Sequence, residues 1–99
     1  MNRYDVYASK FSSDYLLDVQ TDLLAGLNTR VVVPLIKLSD APKLAKYLNP
    51  RFDVAGEEVA MMTQFIAAIP ESELDKRIDN LGQFHQEISS ALNMIFSGF

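Results

Sequence analysis

His85 is the only histidine and the chain has no cysteine, so imidazole chemistry has one candidate and thiol chemistry none. A nucleophile needs a titratable base beside a Ser, Thr or Cys. His85 follows Phe84 on what the pattern makes the opening turn of a helix, where it reads as a surface or half-buried histidine. Glu57, Glu58, Glu71 and Glu73 are the carboxylates available for acid–base work. Neighbours on a strand point to opposite faces, so Glu57 and Glu58 do not share a site. Asp14, Asp18 and Asp22 are spaced by four, but their surroundings read as strand and turn, with no calcium-loop signature and no histidine pair. The glycines (Gly26, Gly56, Gly82, Gly98) are too dispersed to cradle a phosphate, and Arg3, Arg30, Arg51 and Arg77 are equally scattered in sequence, although a fold could gather two or three of them. No catalytic residue, metal or cofactor is expected. The residues describe a small acidic binding module.

Such a module must be one domain spanning 1–99, because 99 residues form a single modest core. The hydrophobic content of 48% argues for a globular chain, and the net charge of −4 argues against a sequence-blind grip on nucleic acid or anionic membrane. The lack of cysteine excludes a disulfide scaffold and a zinc ribbon. No stretch approaches the ~20 apolar residues a bilayer demands. Met1 to Asp5 meets charge before any apolar block, so no signal peptide is read and a cytoplasmic location is expected.

The elements follow from periodicity. Tyr4, Val6 and Ala8 open a strand, Ser9 to Asp14 break it, and Tyr15 to Gln20 resume it. Arg30 to Leu35, with three consecutive valines, is the strongest strand signal, and Pro34 places it at an edge or near its end. Asp40 to Leu48 reads as an irregular excursion with a short helical piece, Asp40 capping and Pro42 at the first position. Phe52 and Val54 alternate with charges, Ala55-Gly56 turns, and Glu58 to Gln64 returns as the partner strand. Phe65 to Pro70 is apolar enough to be interior, and Glu71 to Asn80 forms a final strand. Phe84, Ile88, Ala91, Leu92 and Ile95 then mark an amphipathic helix over about 83–97, closed by Gly98. Met94 and Phe96 widen its apolar surface beyond what one core contact needs.

Several blocks resemble the CcdB family of toxins from bacterial toxin–antitoxin modules. They are Asp18-Val19-Gln20-Thr21-Asp22-Leu23-Leu24, Leu27 to Leu35, Val54, Glu57, Met61 to Gln64, Ile69-Pro70 and Ala91 to Phe99. The likeness runs nearly end to end. It implies a mainly β fold, a small SH3-like bent antiparallel sheet barrel over about 1–80 with one C-terminal α-helix, acting as a homodimer. It further implies a poison that binds the DNA gyrase A subunit and traps the enzyme on cleaved DNA. A cognate CcdA-like antitoxin would neutralise it, and operator DNA would be reached only through that antitoxin. The gyrase-facing positions carried over are Ser97, Gly98 and Phe99, and the dimer positions are Met94, Ile95 and Phe99. The antitoxin-facing ones are Phe11, Asp14, Leu44 and Tyr47. Well-studied members end Trp-Gly-Ile, their tryptophan stacking on a gyrase arginine, whereas this chain has Ser97 there and no tryptophan. Two other readings stand beside this one: an endoribonuclease toxin on a related barrel, with Arg30 and Arg51 as candidate phosphate contacts, and a non-toxic antitoxin-binding co-regulator.

Overall fold

The computed structural model describes residues 2–98. Its strands are β1 (Asp5–Ser9), β2 (Tyr15–Asp18), β3 (Thr29–Lys37), β4 (Arg51–Val54), β5 (Glu57–Met61), β6 (Ala67–Pro70) and β7 (Leu74–Asn80), followed by the helix α1 (His85–Ser97). They form a mainly β, curled antiparallel half-barrel in the order β4-β5-β3-β2-β1-β7, with β6 also paired to β3. The valine run sits at the centre of this sheet, since β-branched side chains pack well on a pleated surface. Val6, Leu17, Val33 and Leu35 share its inner face with Phe52, Val59 and Met61, all buried. α1 closes that face with Ile88 and Ala91, both fully buried, while Phe84 and Leu92 pack on its margin. Burying each large aliphatic is worth roughly 1.5–3 kcal/mol, which is what binds helix to sheet.

Pro34 lies inside the longest strand, not at an edge or end. Leu16 opposes it on β2, while on the other side β6 pairs as far as Val32 and β5 begins at Leu35. A strand residue's N–H and C=O point to the same side, and the Pro34 carbonyl accepts from the Met62 amide at 2.9 Å. Its missing N–H therefore faces the seam between β5 and β6, where no ladder bond is needed.

Three other expectations change. The partner strand ends at Met61, and a 3₁₀ turn over Thr63–Phe65 follows. Residues 65–70 are interior only in part: Ile66 and Ile69 are half-buried against the core clusters, while Phe65, Ala67, Ala68 and Pro70 are exposed, and among the described residues β6 pairs with β3 alone. The short helical piece is a 3₁₀ turn at Leu38–Asp40, before Pro42, and 41–45 has no regular structure. The hairpin at Ala55-Gly56 holds, both residues taking positive φ (52° and 81°) as a two-residue primed turn requires. Among the described residues no helix is long and apolar enough to cross a membrane.

Candidate functional site

α1 ends because Gly98 adopts the left-handed conformation (φ 77°) and its N–H donates back to the Met94 carbonyl at 3.0 Å. A residue with a Cβ adopts that geometry only at a steric cost. The cap leaves Phe96 71% exposed, with Ser97 and Gly98 exposed beside it. Met94 and Ile95 are half-buried one turn back. Four of the five residues expected to face gyrase or a second protomer thus share one helix end. The fifth, Phe99, lies outside the described residues.

The antitoxin-facing expectations fall on two loops at one end of the sheet. Tyr15 pairs with Leu35, so the β1–β2 loop carrying Phe11 and Asp14 leaves the sheet beside the exit of β3 towards Leu44 and Tyr47. Phe11 is 76% exposed and Asp14 half-buried, their amides tied to Ser9 Oγ and Ser12 Oγ. Leu44 is half-buried and Tyr47 exposed, and both line a depression with Lys46, Pro50 and Arg51. Tyr47 holds a positive φ of 69°, an outlier for an aromatic residue.

Charge that looked scattered is gathered under the sheet's other face. Arg30 (1% exposed) donates from Nε to Asp18 Oδ2 at 2.8 Å, and Asp18 is fully buried. Nη2 of Arg30 stands 2.6 Å from the same oxygen, aligned too poorly for a hydrogen bond, and has no other acceptor among the described residues. Burial pushes the Asp18 carboxyl above its ordinary range, outweighing the guanidinium and the Gln20 amide that hold it down. Asp5 is the opposite case. Burial raises it, but hydrogen bonds from Asn80, the Asn2 amide and Arg77 bring it below the usual value. Burial, the neighbouring Asp5 and Asp18 charges and the bond to Asp5 together push the Tyr7 hydroxyl up to about 12. Arg30 is therefore committed to the interior and presents nothing to a phosphate, while Arg51 is exposed 4.0 Å from Glu58. Asp14, Asp18 and Asp22 do not converge. Among the described residues no group of three or more potential ligands could hold a metal.

His85 is exposed, as expected, but not idle: its Nδ1 pairs with the Tyr4 hydroxyl at 2.6 Å, joining the first residues to α1. A feature missed in the sequence is the β2–β3 loop, where Leu23 is 92% exposed and Leu24 and Leu27 are about half exposed. Gln20 braces this loop from within, donating to the Leu24 carbonyl and accepting from the Val31 amide. The available signal was three leucines in a segment with neither helical nor strand period. Compared with known families, the chain matches the model described as CcdB protein over residues 3–98, nearly its whole length.

Proposed function

The chain belongs to the CcdB family, the toxins of toxin–antitoxin modules, and from that premise we propose that it poisons DNA gyrase by binding and not by catalysis. On this reading it works in the cytoplasm as a homodimer joined through Met94, Ile95 and Phe99. Ser97, Gly98 and Phe99 from both copies enter the gyrase A subunit and hold the enzyme on cleaved DNA. A cognate antitoxin covers Phe11, Asp14, Leu44 and Tyr47, removes the toxin, and carries the pair to operator DNA for autoregulation. The observation that supports this best is the end of α1, where a glycine cap stops the helix with Phe96 and Ser97 in solvent. A C2 interface uses one patch twice, so apolar residues beside a helix end suit a dimer that presents two tails together.

Purified protein with gyrase and supercoiled plasmid should yield linear, protein-linked DNA. Deleting 97–99 should abolish that product while the circular dichroism spectrum is unchanged. Linear DNA from the truncated chain, or RNA cleavage without gyrase, overturns the reading. Ser97 favours one second reading, since a hydroxyl cannot stack on a guanidinium as an indole does, a contact worth roughly 0.5–2 kcal/mol. A non-toxic antitoxin-binding co-regulator would leave the plasmid uncut in the same assay and still bind antitoxin.

A further inference from the structure

Tyr47 stands in the open, 64% exposed, on a left-handed backbone (φ 69°) that an aromatic residue rarely adopts. Its ring borders two depressions. One, of about 330 Å³, lies against the exposed face of α1, with Tyr47 and Pro50 on one side and Gln86, Glu87 and Ser90 on the other. The second, of about 340 Å³, shares Tyr47 and Pro50 and runs to Lys46 and Arg51. Each is on the scale of clefts that hold small molecules, ~300–1,000 Å³. The Lys46 ammonium stands over the ring, 5.1 Å from its centroid. A cation therefore takes one face of the ring and leaves the opposite face for a ligand.

The two ends of this site carry opposite chemistry. Among the described residues Glu87 is the one acid that lines it, at the α1 end beside Gln86 and Ser90. Lys46 and Arg51 lie at the far end, in a segment, residues 41–51, that contains Lys43, Lys46 and Arg51 and no acid. Arg51 stands 4.0 Å from Glu58, both exposed, and a surface pair of that kind is weak enough to be exchanged for a ligand. Buried Asn49 fixes the chain between the two cations, accepting from the Ala45 amide at 2.9 Å and donating to the Met61 carbonyl at 3.0 Å. A site already ordered spares part of the cost of binding.

We propose that this site binds a guanine nucleotide, with its base at α1 and its phosphates at Lys46 and Arg51. The base stacks on Tyr47, as bases do on exposed aromatic rings. Guanine presents two adjacent donors, N1–H and the N2 amino group, and a carboxylate accepts both at once, so Glu87 is matched to that edge. Adenine has an acceptor at N1 and turns a lone pair towards the carboxylate. The opposite orientation would set phosphates against Glu87 and is excluded by repulsion. A free nucleotide fits better than a strand, because the chain is acidic outside this segment and three cations release few counterions. The proposal needs neither gyrase nor antitoxin, although Leu44 and Tyr47 belong to this site and to the antitoxin-facing positions.

The test is an amide chemical-shift titration of the full ¹⁵N-labelled chain with guanosine diphosphate up to about 5 mM, which detects millimolar affinity. Adenosine diphosphate, inorganic pyrophosphate and a short single-stranded RNA with one guanosine are the other arms. Guanosine diphosphate should shift the amides of Lys46, Tyr47 and Arg51 together with those of Gln86 and Ser90. It should bind about tenfold more tightly than adenosine diphosphate. Glu87→Gln should bring the two nucleotides within about twofold of each other, since an amide pairs with either edge. Tyr47→Ala should weaken both roughly tenfold. Both variants alter exposed side chains, and circular dichroism checks that they fold. Equal affinity of the parent chain for the two nucleotides, or a preference that survives Glu87→Gln, overturns the proposal. So do pyrophosphate binding as tight as that of guanosine diphosphate, shifts confined to other surfaces, and no shift at the highest concentration. RNA binding tighter than that of the free nucleotide overturns the assignment of the ligand.

Discussion

Asp18→Asn and Arg30→Met remove opposite halves of the same buried pair, and they should not cost the same. Asp18→Asn leaves a guanidinium that is 1% exposed and cannot lose its proton. Removing one partner of a buried ion pair costs roughly 3–5 kcal/mol, a large part of a small domain's total stability. Arg30→Met leaves a carboxylate, which can escape by taking up a proton. For an ordinary aspartate that escape costs about 4 kcal/mol at pH 7 and about 1.5 kcal/mol at pH 5. Asp18 already titrates above the ordinary value because burial outweighs Arg30, so both costs are smaller here, and without Arg30 the shift grows. A folded-state pKa raised above the unfolded one gives stability that is fully present below the unfolded pKa and lost as pH rises through the folded one. The Arg30→Met midpoint in urea, followed by circular dichroism at fixed protein concentration, should therefore climb from pH 7 to pH 5. Asp18→Asn should be the less stable variant at pH 7. An Asp18→Asn midpoint equal to or above that of Arg30→Met at pH 7, or an Arg30→Met midpoint that stays flat or falls on acidification, refutes the reasoning.

Asp5 carries the opposite linkage. Its carboxyl is held below the ordinary range, so its contribution is present above the unfolded value and lost as pH falls through the folded one. Urea midpoints measured from about pH 5 to about pH 2 should decline less steeply for Asp5→Asn than for the parent chain; an unchanged slope contradicts the assignment. At the end of α1, Gly98→Ala should cost about 1 kcal/mol because Gly98 sits at φ 77°. That lowers the melting temperature by roughly 4–8 °C in a domain of this size, and an unchanged melting point would mean the cap is not formed.

The strands and helix that were legible in the sequence are those whose partners lie in a regular period. The Val31–Val33 run and the Phe84, Ile88, Ala91, Leu92 stripe need only local spacing to be read. Pro34 misled because a proline forbids a bond on one side of a strand, and only the sheet shows that β3 changes partner there. Phe65 to Pro70 misled because apolar composition reports burial only where a second layer covers the strand. Asp18 and Arg30 are twelve residues apart, so sequence spacing sets Asp18 beside Asp14 and Asp22 and leaves Arg30 among the scattered arginines. Their flanks were the clue: Asp18 stands between Leu17 and Val19, and Arg30 precedes three valines. A charge inside an apolar strand run is either displaced from the core face or paired beneath the opposite one, as here. The helix end was legible because a glycine after the last apolar residue stops a helix. The surroundings of Tyr47 were not, since its positive φ stands two residues before Asn49, whose bonds to Met61 and Gln64 no local pattern contains.

α1 links the two proposed surfaces. Its inner stripe commits it to the half-barrel, so it cannot rotate to serve one partner and then another; both must be met by parts that are already exposed. Ser90, which lines a depression with Tyr47 and Pro50, and Ser97, at the helix end, are separated by seven residues along one helix, roughly 10 Å. An extended peptide covers that distance in about three residues. A partner segment seated on Tyr47 and Pro50 therefore needs only a short continuation along α1 to collide with anything bound at Phe96 and Ser97. On the proposed function, release of one partner by the other would require no rearrangement inside this chain, only a second occupant that approaches along the same helix. The hydrogen bonds of buried Asn49 and the glycine cap at Gly98 each fix an exposed element, so that on the proposed function competition between partners would be decided by contact and not by refolding.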